Sequence, residues 1–60
     1  MKVATEEMVS ARDFRRESAD QLRRLAAGEV EKIVLTRHGE VVGVILSPGK
    51  YEAMEAAYGD

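Results

Sequence analysis

Residues 31–48, EKIVLTRHGEVVGVILSP, contain two apolar, β-branched stretches separated by two residues. Residues 31–37 and 40–46 are rich in valine, isoleucine and leucine, which fit well on pleated, half-buried sheet surfaces. The intervening His38-Gly39 has the length of a tight hairpin loop and places glycine second, where a positive φ is needed. The stretch therefore predicts a β-hairpin.

Both predicted strands carry apolar side chains on both faces. Ile33 and Leu35 alternate with Val34, and Val44 alternates with Ile45. A two-stranded hairpin in a chain of 60 residues cannot cover two apolar faces, so we expect a partner chain. Size leads to the same expectation, because a domain this small gains about as much from burial as ordering its chain costs.

Other sources of stability are excluded by composition. Cysteine is absent and histidine occurs once, which leaves no disulfide, no thiolate zinc site and no histidine-rich metal site. We therefore expect no metal and no cofactor, and oligomerisation remains as the way to stabilise the fold.

A helical pattern precedes the hairpin. Ser10 is a good N-cap, and apolar residues then recur at helical spacing over residues 11–27. The small polar Ser18 within the apolar stripe predicts a kink, or a division into two helices. Gly28 predicts the stop, since glycine readily adopts the left-handed conformation at a helix C-terminus.

The two ends of the chain supply the remaining elements. Val3 and Thr5 suggest a short first strand. Ser47 and Pro48 fit the cap and first position of a last helix that Gly59 would end. The expected order is β-α(α)-β-β-α, which is an α+β fold.

Positive charge is concentrated in one part of the sequence, although the net charge is slightly negative. Nine lysines and arginines against eleven acids give a net charge of −2, yet five arginines fall within residues 12–24. Local charge decides whether a surface attracts phosphate. No apolar run approaches the length of a transmembrane helix, and the N-terminus lacks the apolar stretch of a signal peptide. We expect a cytoplasmic protein without a membrane contact.

Catalysis is not expected from these residues. Ser10, Ser18 and Ser47 lie where helix caps are predicted, and His38 has no orienting partner in the sequence. A chain of this size also has little mass with which to enclose a substrate.

Three stretches together resemble the Phd/YefM antitoxins of bacterial type II toxin–antitoxin modules. They are Ser10-Ala11-Arg12 at the helix start, residues 25–29 (LAAGE), and above all residues 36–48 (TRHGEVVGVILSP) followed by Tyr51-Glu52. The resemblance covers about Val3 to Tyr58. Glu6 and Glu7, which precede the helix motif, depart from the family pattern.

The resemblance implies a fold, partners and a function. It implies an intertwined homodimer with a shared antiparallel sheet, in which residues 1–58 form a DNA-binding and dimerisation domain. It implies binding to the operator DNA of the chain's own promoter and neutralisation of a cognate toxin. We expect the toxin-neutralising tail to be absent or truncated after residue 60, and hence weak toxin binding by residues 1–60.

Candidate site residues follow from the motifs, the arginine cluster and the apolar patterns. The candidates for DNA binding are Ser10, Arg12, Arg15, Arg16, Arg37 and His38. The candidates for core or dimer interface are Phe14, Leu22, Leu25, Ile33, Leu35, Val44 and Leu46. The candidates for toxin binding are Tyr51, Met54 and Tyr58.

Simpler interpretations stand beside these. The arginines could form a solvated helix face paired with acids, as in Arg16 with Asp20, and we expect this for Arg23 and Arg24. Arg37 and His38 could be turn residues only. The apolar side chains of the last helix could serve in core packing.

Two functions therefore remain open. One is a homodimeric autorepressor that binds its operator and also neutralises a toxin. The other is a protein-interaction module that docks a toxin without appreciable DNA binding, which the acidic balance favours.

Overall fold

A computed structural model describes residues 1–58 of the chain, which form a small α+β domain. Three strands make one mixed sheet: β1 (Met8–Ser10), β2 (Lys32–Arg37) and β3 (Glu40–Leu46), with β2 in the centre. Two helices complete it, α1 (Ala11–Ala26) between β1 and β2, and α2 (Pro48–Tyr58) after β3. The expected element order is confirmed.

The hairpin forms as the sequence predicted. β2 and β3 pair antiparallel, and both residues of the loop have positive φ, 52° at His38 and 81° at Gly39. Positive φ at both central positions is the type I′ geometry, whose twist matches that of the strands. The register shifts between Leu35 and Thr36, so that Val42 is an extra, bulged residue in β3.

The first strand lies later than expected. Residues Thr5–Glu7 form a 3₁₀ turn, and β1 comprises Met8–Ser10, so the strand predicted from Val3 and Thr5 is wrong. β1 pairs in parallel with β2, which makes the sheet within one chain mixed rather than antiparallel. A parallel pair requires a crossover connection, and α1 provides it.

An ion pair between buried Glu7 and half-buried Lys32 links the 3₁₀ turn to the sheet. Glu7 Oε1 lies 3.0 Å from Lys32 Nζ and accepts a hydrogen bond of 2.9 Å from the backbone N–H of Ala4. The side chains of Glu7 and Lys32 are 8% and 19% exposed. The N–H of Ala4 and then Lys32 lower the pKa of Glu7 below its ordinary value of 4.5.

Helix α1 begins and ends at the predicted signals. Ser10 Oγ accepts a 3.0 Å hydrogen bond from the N–H of Asp13, and Glu17 has non-helical angles (φ −119°, ψ 20°), so the kink lies one residue before Ser18. Gly28 has φ 80°, and the Gly28 and Glu29 N–H groups donate to Leu25 and Arg24 carbonyls at 3.2 and 2.9 Å. This pair of bonds is the Schellman arrangement, in which glycine is favoured because of its positive φ.

One face of the sheet is covered by α1 and the other is open. Val9, Leu25, Val30 and Ile33 form the buried core, and Phe14, Leu35 and Ile45 pack against it. On the opposite face, Met8, Val34 and Val44 lie in register across the three strands. Val34 is fully buried between them, whereas Met8 and Val44 are 51% and 42% exposed.

Helix α2 starts at its predicted signals and leaves the body of the domain. The N–H of Lys50 donates to Ser47 Oγ at 3.3 Å, and Tyr51 donates to the Ser47 carbonyl at 3.0 Å. Every residue of α2 is exposed, and Lys50 Nζ contacts Glu31 Oε1 at 3.1 Å. The stop expected at Gly59 lies outside the described residues. Neither helix within residues 1–58 is long and apolar enough to span a bilayer.

Candidate nucleic-acid interface

A half-open hollow of about 600 Å³ lies at the edge of the sheet where α1 begins. It arises because β1 and β2 are parallel, so that both strands end at this edge, one continuing into α1 and the other into the hairpin tip. The lining residues come from these two continuations: Ser10, Ala11, Arg12, Arg15, Thr36, Arg37, His38 and Gly39.

Two hydroxyl side chains contribute to the hollow from the sheet itself. Ser10 in β1 and Thr36 in β2 are direct partners in the parallel register, and both are half-buried. Ser10 Oγ accepts the N–H of Asp13, which leaves its own hydroxyl hydrogen available to donate. The hollow therefore contains neutral donors close to its charged side chains.

Three arginines line the hollow without an ion-pair partner among residues 1–58: Arg12, Arg15 and Arg37. All three are exposed, and they come from two elements, the first turns of α1 and the end of β2. Guanidinium groups are planar and present forked donors that are suited to phosphate. The arrangement is a concentrated positive surface on a chain whose net charge is −2.

The other arginines of α1 are paired with acids. Arg16 Nη2 lies 3.1 Å from Asp13 Oδ1 and 3.6 Å from Glu17 Oε2. Arg23 lies 3.2 Å from both Asp20 and Glu29, and the hydrogen bonds that its guanidinium donates to these two carboxylates raise its pKa. The expected solvated pairing is thus confirmed for Arg23. Arg16, by contrast, pairs with Asp13 and not with Asp20, so that expected partner is wrong.

Arg24 lies deeper than expected. Its Nη1 donates to Gln21 Oε1 at 3.2 Å, its Nε lies 3.7 Å from Glu29, and its side chain is 24% exposed. Gln21 itself is buried, so Arg24 satisfies a buried amide at the far end of α1 from the hollow. Its contacts among the described residues are therefore with Gln21 and Glu29, and it does not line the hollow.

The structure brings together five of the six residues that were predicted to bind DNA. Ser10, Arg12, Arg15, Arg37 and His38 all line the hollow, whereas Arg16 lies outside the lining and is ion-paired. Thr36 was missed, because its place beside Ser10 depends on a strand register that no local motif specifies. The sequence offered one indication that Thr36 belongs to the site, namely its position next to Arg37 in the predicted hairpin.

The predicted core and interface residues separate into two groups. Leu25 and Ile33 are buried, Phe14 and Leu35 pack beside them within the same chain, and Leu46 is half-buried. Leu22 and Val44 are 45% and 42% exposed. These two are available to a second chain, whereas Leu35 serves the core of its own.

The residues predicted to bind toxin are all on the exposed helix α2. Tyr51, Met54 and Tyr58 are 57%, 44% and 87% exposed, so they do not pack into the core of their own chain. They recur at helical spacing on a helix in which none of the described residues is buried.

Comparison of the chain with protein-family models, with curated proteins and with solved structures finds no match. The interpretation of the hollow therefore depends on its own chemistry.

Proposed function

We propose that the chain is a Phd/YefM-type antitoxin, a homodimer that binds the operator of its own promoter and neutralises a cognate toxin. The observation that carries the proposal is the hollow lined by Arg12, Arg15 and Arg37, none of which has an acidic partner among residues 1–58. Surface arginines in an acidic protein are easily paired, as Arg16 and Arg23 are. Three that stay unpaired in one place favour an anionic partner that supplies the missing charge.

DNA fits this surface better than a small anion alone. The arginines lie on an exposed edge formed by a helix start and a hairpin tip, two elements that project from the sheet. Phosphate contacts position a protein on a duplex, and arginine at a helix start is also able to reach base edges. The surface therefore supports both affinity for DNA and the orientation that sequence recognition requires.

The open sheet face supports the dimer. Met8 and Val44 are half-exposed in register on either side of buried Val34, and Val41 and Val42 are 48% and 59% exposed nearby. Apolar area of this kind gains about 25 cal/mol per Å² when a second chain covers it. A two-fold dimer would carry two copies of the hollow, matching the two halves of a palindromic operator.

The proposal is tested by a gel shift of the chain with the duplex upstream of its own reading frame. A shuffled duplex of equal length is the control, and both are titrated at 50 and 200 mM salt. We expect specific binding of two chains per palindrome and a steep loss of affinity with salt. Equal affinity for the two duplexes, or no shift at low salt, would refute operator binding.

The dimer is tested separately with Val44→Glu. Sedimentation should show a dimer for the parent chain and a monomer for this variant, because the new charge lies on the open face. Ala53→Glu, at an exposed position on α2, adds the same charge elsewhere and should leave the dimer intact. A folded monomer in the parent chain at micromolar concentration would contradict the account.

A second candidate function is toxin docking without DNA binding, and helix α2 favours it. Its Tyr51, Met54 and Tyr58 are exposed and have the helical spacing of groove-binding anchors. Co-purification with the product of the neighbouring reading frame tests this function. Retention by the parent chain but not by a Tyr51→Ala/Met54→Ala variant, together with no gel shift, would favour it over the first.

A further inference from the structure

The donors in the hollow indicate a more specific ligand than DNA in general. Ser10 and Thr36 are partners in the parallel register, and both line the hollow together with the first turns of α1 and the hairpin tip. Ser10 Oγ already accepts one hydrogen bond, from Asp13, and is therefore available chiefly as a donor. The two hydroxyls thus offer neutral donors in a site whose charged side chains are arginines.

The charged lining has a single sign. Arg12 and Arg15 approach from the helix and Arg37 from the strand end, and no acidic side chain lines the hollow within residues 1–58. Each base pair presents a donor as well as acceptors in the major groove, whereas a phosphate presents only acceptors and carries negative charge. A set of three guanidinium groups and two hydroxyl donors matches the phosphate.

We infer that the hollow is a binding site for a single phosphate group, with Thr36 as a ligand alongside Ser10, Arg12, Arg15 and Arg37. This deepens the proposed DNA-binding function by making the hollow a contact to the nucleic-acid backbone and not to a base. Thr36 is the new residue in this assignment. Its hydroxyl donates to a phosphate oxygen that the arginines hold by charge.

The test begins with inorganic phosphate and no DNA. Amide chemical shifts of the ¹⁵N-labelled chain are followed during a phosphate titration at ionic strength held constant with sodium chloride. We expect saturable shifts at Ala11, Thr36 and Gly39, and affinity about tenfold weaker in Thr36→Val, since hydrogen bonds to charged groups are among the stronger ones. Valine keeps the β-branched shape, so the strand should persist.

Two further variants show whether weaker phosphate binding in Thr36→Val comes from the lost hydroxyl or from a change in the fold. Thr36→Ser retains a hydroxyl and should restore most of the affinity that Thr36→Val loses. Thr5→Val removes an exposed threonine in the 3₁₀ turn and should have no effect. Shifts that grow linearly without saturating, or equal affinity in the parent chain and Thr36→Val, would overturn the inference.

A second arm identifies the source of the phosphate. Single methylphosphonate linkages, which lack the charge, are moved along the upstream duplex. A backbone site predicts that one position per half-site weakens binding of the parent chain, and weakens binding of Thr36→Val by a smaller factor, because the arginines still contact that phosphate in the variant but the hydroxyl no longer does. If phosphate saturates the hollow while no duplex binds, the proposed operator function fails and the phosphate site stands as one for a free phosphate. If the duplex binds but inorganic phosphate does not, the proposed operator function stands and the assignment of the hollow as a phosphate site fails.

Discussion

The two ends of helix α1 carry the same residue type in opposite electrostatic settings. At the N-terminal end, Arg12 and Arg15 line the hollow and have no acidic partner among residues 1–58. At the C-terminal end, Arg23 lies 3.2 Å from both Asp20 and Glu29. The two ends of α1 therefore differ in whether their arginines are free to bind a ligand, although arginine is frequent along the whole helix.

The difference teaches which charges belong to the fold. An exposed pair such as Arg23 with Asp20 contributes little, about 0–1 kcal/mol, but it neutralises the surface around it. An unpaired arginine leaves its charge and donors available to a ligand, and no internal pair has to break before the ligand binds. Arginine count alone would not have distinguished these two ends.

The largest effect on stability should come from breaking the ion pair between buried Glu7 and half-buried Lys32. The pKa of Glu7 is lowered, so its charged form stabilises the fold fully above about pH 4.5, and this contribution is lost as pH falls through the lower pKa of the folded state. Glu7→Gln should lower the melting temperature clearly at pH 7, because Lys32 then loses its carboxylate partner.

The pH dependence of the melting temperature provides a control for Glu7→Gln. The difference in melting temperature between the parent chain and Glu7→Gln should shrink below pH 4.5 as the parent carboxylate becomes protonated. A difference that is unchanged between pH 7 and pH 3 would show that the charge of Glu7 does not matter.

The next effect concerns DNA. Arg12→Ala should weaken operator binding by about 1–3 kcal/mol if Arg12 reads a base edge, or lower the salt slope by about 1 if it contacts phosphate. The phosphate assignment selects the second result. Arg23→Ala is the matched control, since it removes the same charge from the paired end of the helix. Anisotropy titrations at several salt concentrations measure the operator affinity of the two variants and its dependence on salt. Equal salt slopes in Arg12→Ala and Arg23→Ala would contradict the proposed difference between the two ends of α1.

The smallest effects concern the two residues that cap α1, Ser10 at its start and Gly28 just after its end. Ser10→Ala removes the hydrogen bond to Asp13 and should cost about 1 kcal/mol. Gly28→Ala meets no steric contact but forces alanine to φ 80°, and should cost about 1 kcal/mol as well. Urea unfolding at one fixed protein concentration measures both. If Ser10→Ala alone also weakens phosphate binding, the two ends differ in function as expected.

Local chemistry was enough to predict most of the secondary structure. The hairpin, its two-residue loop, the Ser10 cap and the Gly28 stop each depend on one or two neighbouring residues. The first strand was misplaced because Met8–Ser10 becomes a strand only by pairing with β2, more than twenty residues away. The partner of Arg16 was wrong because the kink at Glu17 breaks the helical spacing that would have aligned it with Asp20.

The sequence predicted the charged residues of the candidate site but not the contribution of Thr36. Arg12, Arg15 and Arg37 stood out from the sequence cluster and the resemblance, and the structure brings them together. Thr36 required the parallel register with Ser10, and the extra residue Val42 required the paired hairpin. Such features depend on contacts between distant segments, which a local pattern does not encode.

The central claim is that the unpaired end of α1, and not arginine in general, binds the operator. Anisotropy titration of the upstream duplex with Arg12→Ala/Arg15→Ala and with Arg16→Ala/Arg23→Ala tests it directly, because both variants lose two positive charges from the same helix. We predict a loss of about a hundredfold for the first and of less than about threefold for the second at 50 mM salt, with both still folded by circular dichroism. Equal losses in the two variants would contradict the account.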